Sequence, residues 1–377
     1  MSKPGNKVIR TKRKIICYRV FTTVITPVIL LFCMATQEVF SQQKETFHWE
    51  TIDDDTLALY DGDLPLWHYV YRQRVHDWVD QNDARRVSGC YFNPVFGLNG
   101  EVLTTGATVW DNHQHHHGLW PSFSVVKIIE SDGRVKTYDL WTDNTGLKRQ
   151  FVQFGPRSLQ KEKAVFAVEN GWFVNGSESV VKEVIEVTTY PIANNGEYGR
   201  FRVFDFAFSW QATDKRVRLE TAGRSFSSMV LRFAPPADKP RIQSVHGEIS
   251  RDEMQIDIPW LDYQSQFSTS MPKSFDRKPE PASNLSFQGI AIFPSVNNPQ
   301  FQGGWAIRHY GMVCTGWPGT DGAELIPGKE PIKITYRIVV HDQPWSVATV
   351  TKLYEEYGSD AAGNRKCSDT AMKSLVK

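Results

Sequence analysis

Cysteine is scarce in this chain of 377 residues, which holds five. Two of them, Cys17 and Cys33, sit in a basic and apolar first stretch. Cys90, Cys314 and Cys367 remain, an odd number with no CxxC spacing, so neither a disulfide framework nor a structural zinc knuckle is signalled, and one oxidised pair in an exported protein stays open. Long apolar runs are equally rare. The run "VFTTVITPVILLFCMA" (residues 20–35) contains Pro27 and falls short of the roughly 20 residues that cross a bilayer, and no later segment is longer. Charge of one sign is missing too, with 43 Lys and Arg against 42 Asp and Glu. No basic stripe carries interleaved aromatics, so no nucleic-acid partner is expected. Internal repeats and low-complexity blocks are absent.

What is present begins with Lys3, Lys7, Arg10, Lys12, Arg13, Lys14 and Arg19 ahead of that apolar run. A basic start, a short apolar middle and a small residue read as a secretory signal over residues 1–41, cleaved after Ser41 with Val39 and Ser41 at the positions a signal peptidase inspects. The rivals are an uncleaved membrane anchor and a lipid anchor on Cys33, where the bulky Phe32 is a poor neighbour. Export would make the protein periplasmic or secreted, with no membrane contact beyond this segment. Removing it leaves 36 basic and 41 acidic residues, a net charge of about −5.

Most of the remaining chain alternates with the two-residue rhythm of strands. Asn99-Gly100, Asp132-Gly133, Asn170-Gly171 and Asn175-Gly176 lie between extended runs and read as hairpin turns, since both residue types tolerate positive φ. "RFRVFDFAFSW" puts Arg202, Phe204, Phe206, Phe208 and Trp210 on one face. "WSVATVTKLYEEYG" is the one convincing helix: Ser346 caps it, Val350, Leu353, Tyr354 and Tyr357 share a face, and Gly358 is expected to stop it. Residues 234–278 are richer in Pro, Ser and charge and read as a loop excursion with short strands, with residues 276–284 as a flexible link. Many strands, close turns and almost no helix predict an all-β protein, a large antiparallel β-sandwich. The expected organisation is a lead-in at 42–65, a sandwich domain at 66–345, and a short C-terminal helix with its tail at 346–377.

The chemistry-bearing stretch is "HQHHHGLW", residues 113–120. As a strand it would turn His113, His115 and His117 to one face and Gln114 and His116 to the other; as a helical turn it would gather His113, His116 and His117. Three neutral imidazoles around an open position suit a divalent metal, zinc or copper, with calcium also left open. Asp111 and Asn112 are then acceptors that fix the ring tautomers. The same rings suit metal-free proton transfer, because crowding by like charges favours a neutral base near pH 7. Trp110 or Trp120 offers a flat face to a sugar ring. An exposed, structurally bonded His-rich loop is the third reading, and all three stay open.

A second group lies in "GGWAIRHYGMVCTGWPG". A continued strand would point Ala306, Arg308 and Tyr310 one way, with Arg308 suited to a carboxylate or a pair of sugar hydroxyls. "ETAGRSFSSMVLRF" adds Glu220, Arg224 and Arg232, with Glu220 a candidate carboxylate partner for a histidine. Trp120, Trp305 and Trp317 are candidate stacking platforms for a carbohydrate ligand.

Taken together, "SGCYFNPVFGLNGEVLT", "HQHHHGLW", "SSMVLRFAPP", "PWLDY", "GIAIFPSVNNPQ", "WAIRHYGMV" and "LIPGKEPIKITYRIVVHD" resemble the bacterial PmoA-like domain family over residues 66–342. That family also carries a methane oxygenase label, which fits badly with a chain whose apolar runs after residue 35 are too short to span a bilayer. Its usual His-Pro-His-His-Arg-Gly is replaced here by His113, Gln114, His115, His116, His117 and Gly118. Arg232 and Arg308 match its other recurrent arginines. The resemblance implies a galactose-mutarotase-type supersandwich and an exported carbohydrate-active protein. His113 or His116 would then move a proton opposite Glu220. In a lyase variant a histidine or Tyr310 would abstract a proton beside a uronate carboxylate that Arg232 or Arg308 neutralises. His115, His117, Trp120 and Trp317 would contact the sugar. A non-catalytic sugar-binding module and a His-ligated metal enzyme on His113, His115 and His117 are the alternatives.

Overall fold

The computed structural model describes residues 47–142, 145–221, 223, 225–235, 238–270, 284–300 and 304–363. Residues 1–41, read above as a secretory signal, together with Cys367, Arg224 and most of the 276–284 stretch, lie outside the described residues. Among the described residues the strands pair antiparallel and build two large sheets and three small ones. One large sheet runs, in spatial order, Phe47–Asp53, Thr56–Asp61, Leu64–Val70, Tyr91–Val95, Leu119–Phe123, Ser227–Arg232, Met312–Cys314, Trp305–Arg308 and Glu253–Ile256. The other is built on Leu147–Leu159, Ala164–Val174, Glu178–Thr189, Gly199–Ala212 and Ile332–His341, extended by Leu285–Pro294 and Leu261–Ser268.

The sheets pack face to face because alternate residues of each strand are apolar and must leave water. Phe204, Phe206, Phe208 and Trp210 share the inner face as expected and are all buried. Across the interface Phe92 meets Phe166 and Phe206, and Phe123 meets Trp172 and Trp210. Each fully buried aromatic contributes about 4–6 kcal/mol of apolar burial before entropy. The buried carboxylate of this core is paired. Glu183 accepts from Asn170 at 3.1 Å, Trp172 at 3.1 Å and Trp210 at 2.9 Å.

Several expectations need correction. Residues 47–61, expected within the lead-in, form two strands of the first sheet. The 234–278 excursion supplies Leu261–Ser268, which pairs along its whole length with Leu285–Pro294. Asn170-Gly171 is no turn. It lies inside Ala164–Val174, because Asn170 is held in the core by Glu183 and Tyr69. The other three Asn/Asp-Gly pairs do bend the chain, each glycine at positive φ. The helix spans Val347–Gly363 and passes straight through Gly358. Its start is as read, with Thr349 N–H donating to Ser346 Oγ at 3.1 Å, and its Val350 and Leu353 are buried against Phe201, Val203 and Phe293. No helix of the described residues is long and apolar enough to cross a membrane.

Candidate functional site

The histidine strand His113–His117 belongs to a small two-stranded sheet with Gly106–Thr108, whose register shifts between the pairs Gly106↔His117 and Thr108↔His113. The connecting turn holds Asp111 and Asn112, the latter at φ 62°, where asparagine is tolerated. At the other end Gly118, at φ 77°, swings the chain into Leu119–Phe123 of the large sheet. A Cβ there would stand 2.4 Å from the Phe92 carbonyl oxygen. Only glycine satisfies both demands.

The shift breaks both geometries read from the spacing. His113, His115 and His116 are the three rings that meet: 113 on 116 at 4.6 Å, 115 on 116 at 4.5 Å, and 113 to 115 at 5.9 Å. His117 turns to the neighbouring wall, stacking on Tyr91 at 5.1 Å and on His76 at 6.3 Å. The expected triad of His113, His115 and His117 is therefore not assembled. Among the described residues no three His, Cys, Asp or Glu side chains gather as a metal-holding group.

The first three rings meet a set of partners drawn from far along the chain. His113 Nδ1 stands 3.2 Å from Asp111 Oδ2, an ion-pair distance whose angles do not make a hydrogen bond. Thr108 Oγ1 donates to the other carboxylate oxygen at 2.6 Å. Arg232 Nη2 donates to Asp111 Oδ2, and Nη1 donates to the Tyr310 carbonyl oxygen at 2.5 Å. The Arg232 guanidinium also lies under the Tyr310 ring at 4.7 Å, and that ring stacks on His113 at 4.6 Å. Trp141 borders His115 at 6.1 Å, His116 at 5.7 Å and Trp120 at 5.9 Å.

Electrostatics divides these groups. Burial, then His113 and Arg85, pushes His115 down to about 4. Burial and the neighbouring His115 and Arg232 hold His116 well below the usual imidazole range, and its Nδ1 is buried with no hydrogen-bond partner. Burial would raise the Asp111 carboxyl, but the contacts with His113 and Thr108 and the charge of Arg232 bring it below its usual value. Burial raises the Tyr310 phenol to about 12.

Tyr310 is not on a continued strand: Trp305–Arg308 ends, and Tyr310 sits in the turn before Met312–Cys314, which carries it to His113. Arg232 is fully buried and spent on Asp111 and Tyr310, so it offers no grip to a substrate carboxylate. Arg308 is partly exposed and donates to Asp252 at 3.3 Å. Glu220 lies in a separate four-stranded sheet, ion-paired with Lys127 at 2.8 Å and Arg218 at 2.8 Å, which hold its carboxyl low. None of these contacts is with a histidine, so it is not the opposing acid. Trp120, Trp305 and Trp317 are buried. Trp317 stacks on Trp210 at 5.5 Å in the inter-sheet core and Trp305 donates to Ile258 O at 2.8 Å, so none is a surface platform. Cys90 and Cys314 are buried free thiols.

Trp141, Tyr91 and His76 escaped the sequence reading. Each sits in an ordinary strand or loop with no local pattern, and only the tertiary fold brings it to the histidines.

A comparison with curated proteins gives no match. Among solved structures, a 4-alpha-glucanotransferase from Thermococcus litoralis aligns over 80% of this chain at 7% identity and a TM-score of 0.20. The chain spans 38% of that protein's length. A putative aldose 1-epimerase from Klebsiella pneumoniae aligns over 82% of this chain and 84% of its own, at 10% identity and a TM-score of 0.21. Both superpose too loosely to bear on fold or activity. The sequence itself is decisive at the family level. Residues 56–355 match the family of unknown function DUF6807, and the chain belongs to that family.

Proposed function

We propose that this is an exported carbohydrate-active enzyme that moves protons on a neutral sugar, with His113 as its acid–base group. One observation carries the reading: the Asp111 carboxylate faces His113 Nδ1 at 3.2 Å and is itself gripped by a buried arginine. A carboxylate only accepts, so a small rotation of the ring that aligns this contact puts the proton on Nδ1 and leaves the Nε2 lone pair for a substrate hydroxyl. Asp111 also steadies the imidazolium that forms when Nε2 takes that proton. His113 keeps about a quarter of its side chain exposed, at 23%, while His116 is sealed. Tyr310 stays a phenol at neutral pH and acts as a donor, which disfavours it as the base of a lyase. Arg232 is committed to Asp111 and Arg308 faces Asp252 at 3.3 Å, which favours uncharged substrates over uronates.

In a mutarotase-like cycle Nε2 removes the proton of the anomeric hydroxyl, the bond from the anomeric carbon to the ring oxygen breaks, and a donor protonates that oxygen. Tyr310 supplies the donor in this reading. The test is proton NMR of the purified chain with a panel of freshly dissolved aldoses and aldose glycosides, following anomer exchange and deuterium uptake from D2O. Replacing His113 with Asn should lower turnover by about 10²-fold or more with ligand saturation transfer retained. Unchanged turnover in a folded His113→Asn protein contradicts the assignment. Binding without turnover in the unmodified protein replaces it with a sugar-binding module.

A further inference from the structure

The strand that presents His113 presents His117 to a different space. A cleft of about 160 Å³ opens there, lined among others by Asp53, His68, Arg74, His76, Trp78 and His117. At about 30 Å³ per water this holds roughly five waters, the bulk of one sugar ring and too little for an oligomer.

The lining has a definite chemistry. Arg74 is its one cation, and it is already taken: Nε donates to Asp55 at 3.0 Å, and Nη2 donates to Asp53 at 2.6 Å, to Thr56 at 2.7 Å and to Asp55. Two carboxylates against one guanidinium leave no positive charge for an anion. His68 and His76 are both driven down to about 4, chiefly by burial, so their rings are neutral acceptors and donors at pH 7. His76 is 3% exposed, and its Nε2 is bonded to Ser88 Oγ at 2.7 Å. Its Nδ1, like His68 Nε2, is shut in with no hydrogen-bond partner among the described residues. Such groups are costly to leave unsatisfied, and both residues line the cleft, where a ligand hydroxyl would be their partner. Trp78 supplies an aromatic wall with 36% of its surface exposed, its indole N–H fixed on Ala107 O at 2.7 Å.

We infer that this cleft is a binding subsite for a single uncharged pyranose ring, built from hydrogen-bonding neutral imidazoles, the exposed carboxylate of Asp53 and the face of Trp78. It stands on different residues from the acid–base centre, and its test reads binding alone. Saturation-transfer NMR of the full chain with D-galactose, D-glucose and D-mannose, each beside D-galacturonate, is the experiment. At least one neutral hexose should bind, galacturonate should not, and Trp78→Ala and His68→Ala should each weaken the hexose tenfold or more with the thermal midpoint checked for folding. Asp53→Asn, at a half-exposed position, serves as the variant if either of these fails to fold and should weaken binding likewise. His113→Asn should leave this binding intact, which separates failure here from failure of the acid–base reading. Absence of binding by all three hexoses, preferential binding of galacturonate, or hexose binding unaltered in the folded cleft variants overturns the inference.

Discussion

His113 differs from its three neighbours in what its ring meets. It touches a carboxylate and keeps some solvent contact, whereas burial holds His116 and His117 far below the usual imidazole range. Rings held neutral this firmly are poor proton acceptors, so the acid–base role proposed above falls to the ring that faces a carboxylate. The weight of that arrangement falls on Arg232. Removing its guanidinium leaves Asp111 as an unpaired carboxylate with a side chain 14% exposed. Arg232→Met should therefore destabilise by about 3 kcal/mol, the low end for a broken buried pair. Arg232→Met combined with Asp111→Asn should recover part of that loss, because no orphan charge then remains. Urea midpoints of the single and double variants measure it, and strictly additive losses would show that the pair is not coupled.

At the scale of the element, the turn and the bend around the histidine strand decide which rings meet. Gly118→Ala would bring a methyl to 2.4 Å from the Phe92 carbonyl oxygen and force a positive φ on alanine. Gly133→Ala makes a control, since Gly133 has a comparable φ of 82° with nothing near its missing Cβ. The control should cost about 1 kcal/mol of conformational strain, and Gly118→Ala clearly more. Equal costs in thermal melts would remove the steric argument. The same strand shows what a sequence can and cannot reveal. Alternation correctly announced strands, hairpins and the all-β class, because side-chain direction follows from local backbone geometry. Which imidazoles share a pocket did not follow, because a register shift between Gly106 and Thr108 redirects His116 and His117. Asn170-Gly171 failed for a related reason: a buried Glu183 more than ten residues away needs the Asn170 amide, and that tertiary demand overrides turn chemistry. Asp111 was legible as a ring-orienting acceptor from its nearness in sequence. The Arg232 grip on it, formed across 121 residues, was visible only as an arginine whose partner had to come from the fold.

At the scale of the whole molecule, the buried histidines tie stability to pH. His68, His76 and His115 each fall from an ordinary 6.5 to about 4 on folding. The unfolded chain then binds protons that the folded one refuses, so stability is complete above pH 6.5 and is lost as pH falls toward 4. Each unit of depression is worth about 1.4 kcal/mol at most, less for the more exposed rings. The carboxyl of Asp55, held at about 2, extends the decline below pH 4. Urea midpoints at pH 7, 5.5 and 4.5 should fall steadily, and a flat profile would mean that these rings accept protons in the folded state.

The proposed function requires that Asp111 fix the tautomer of His113. Two-bond ¹H–¹⁵N correlation spectra of histidine-labelled protein at pH 7 read that tautomer directly. The proton should reside on Nδ1 of His113 and move to a mixed population in Asp111→Asn. A proton on Nε2 in the unmodified protein would contradict the account.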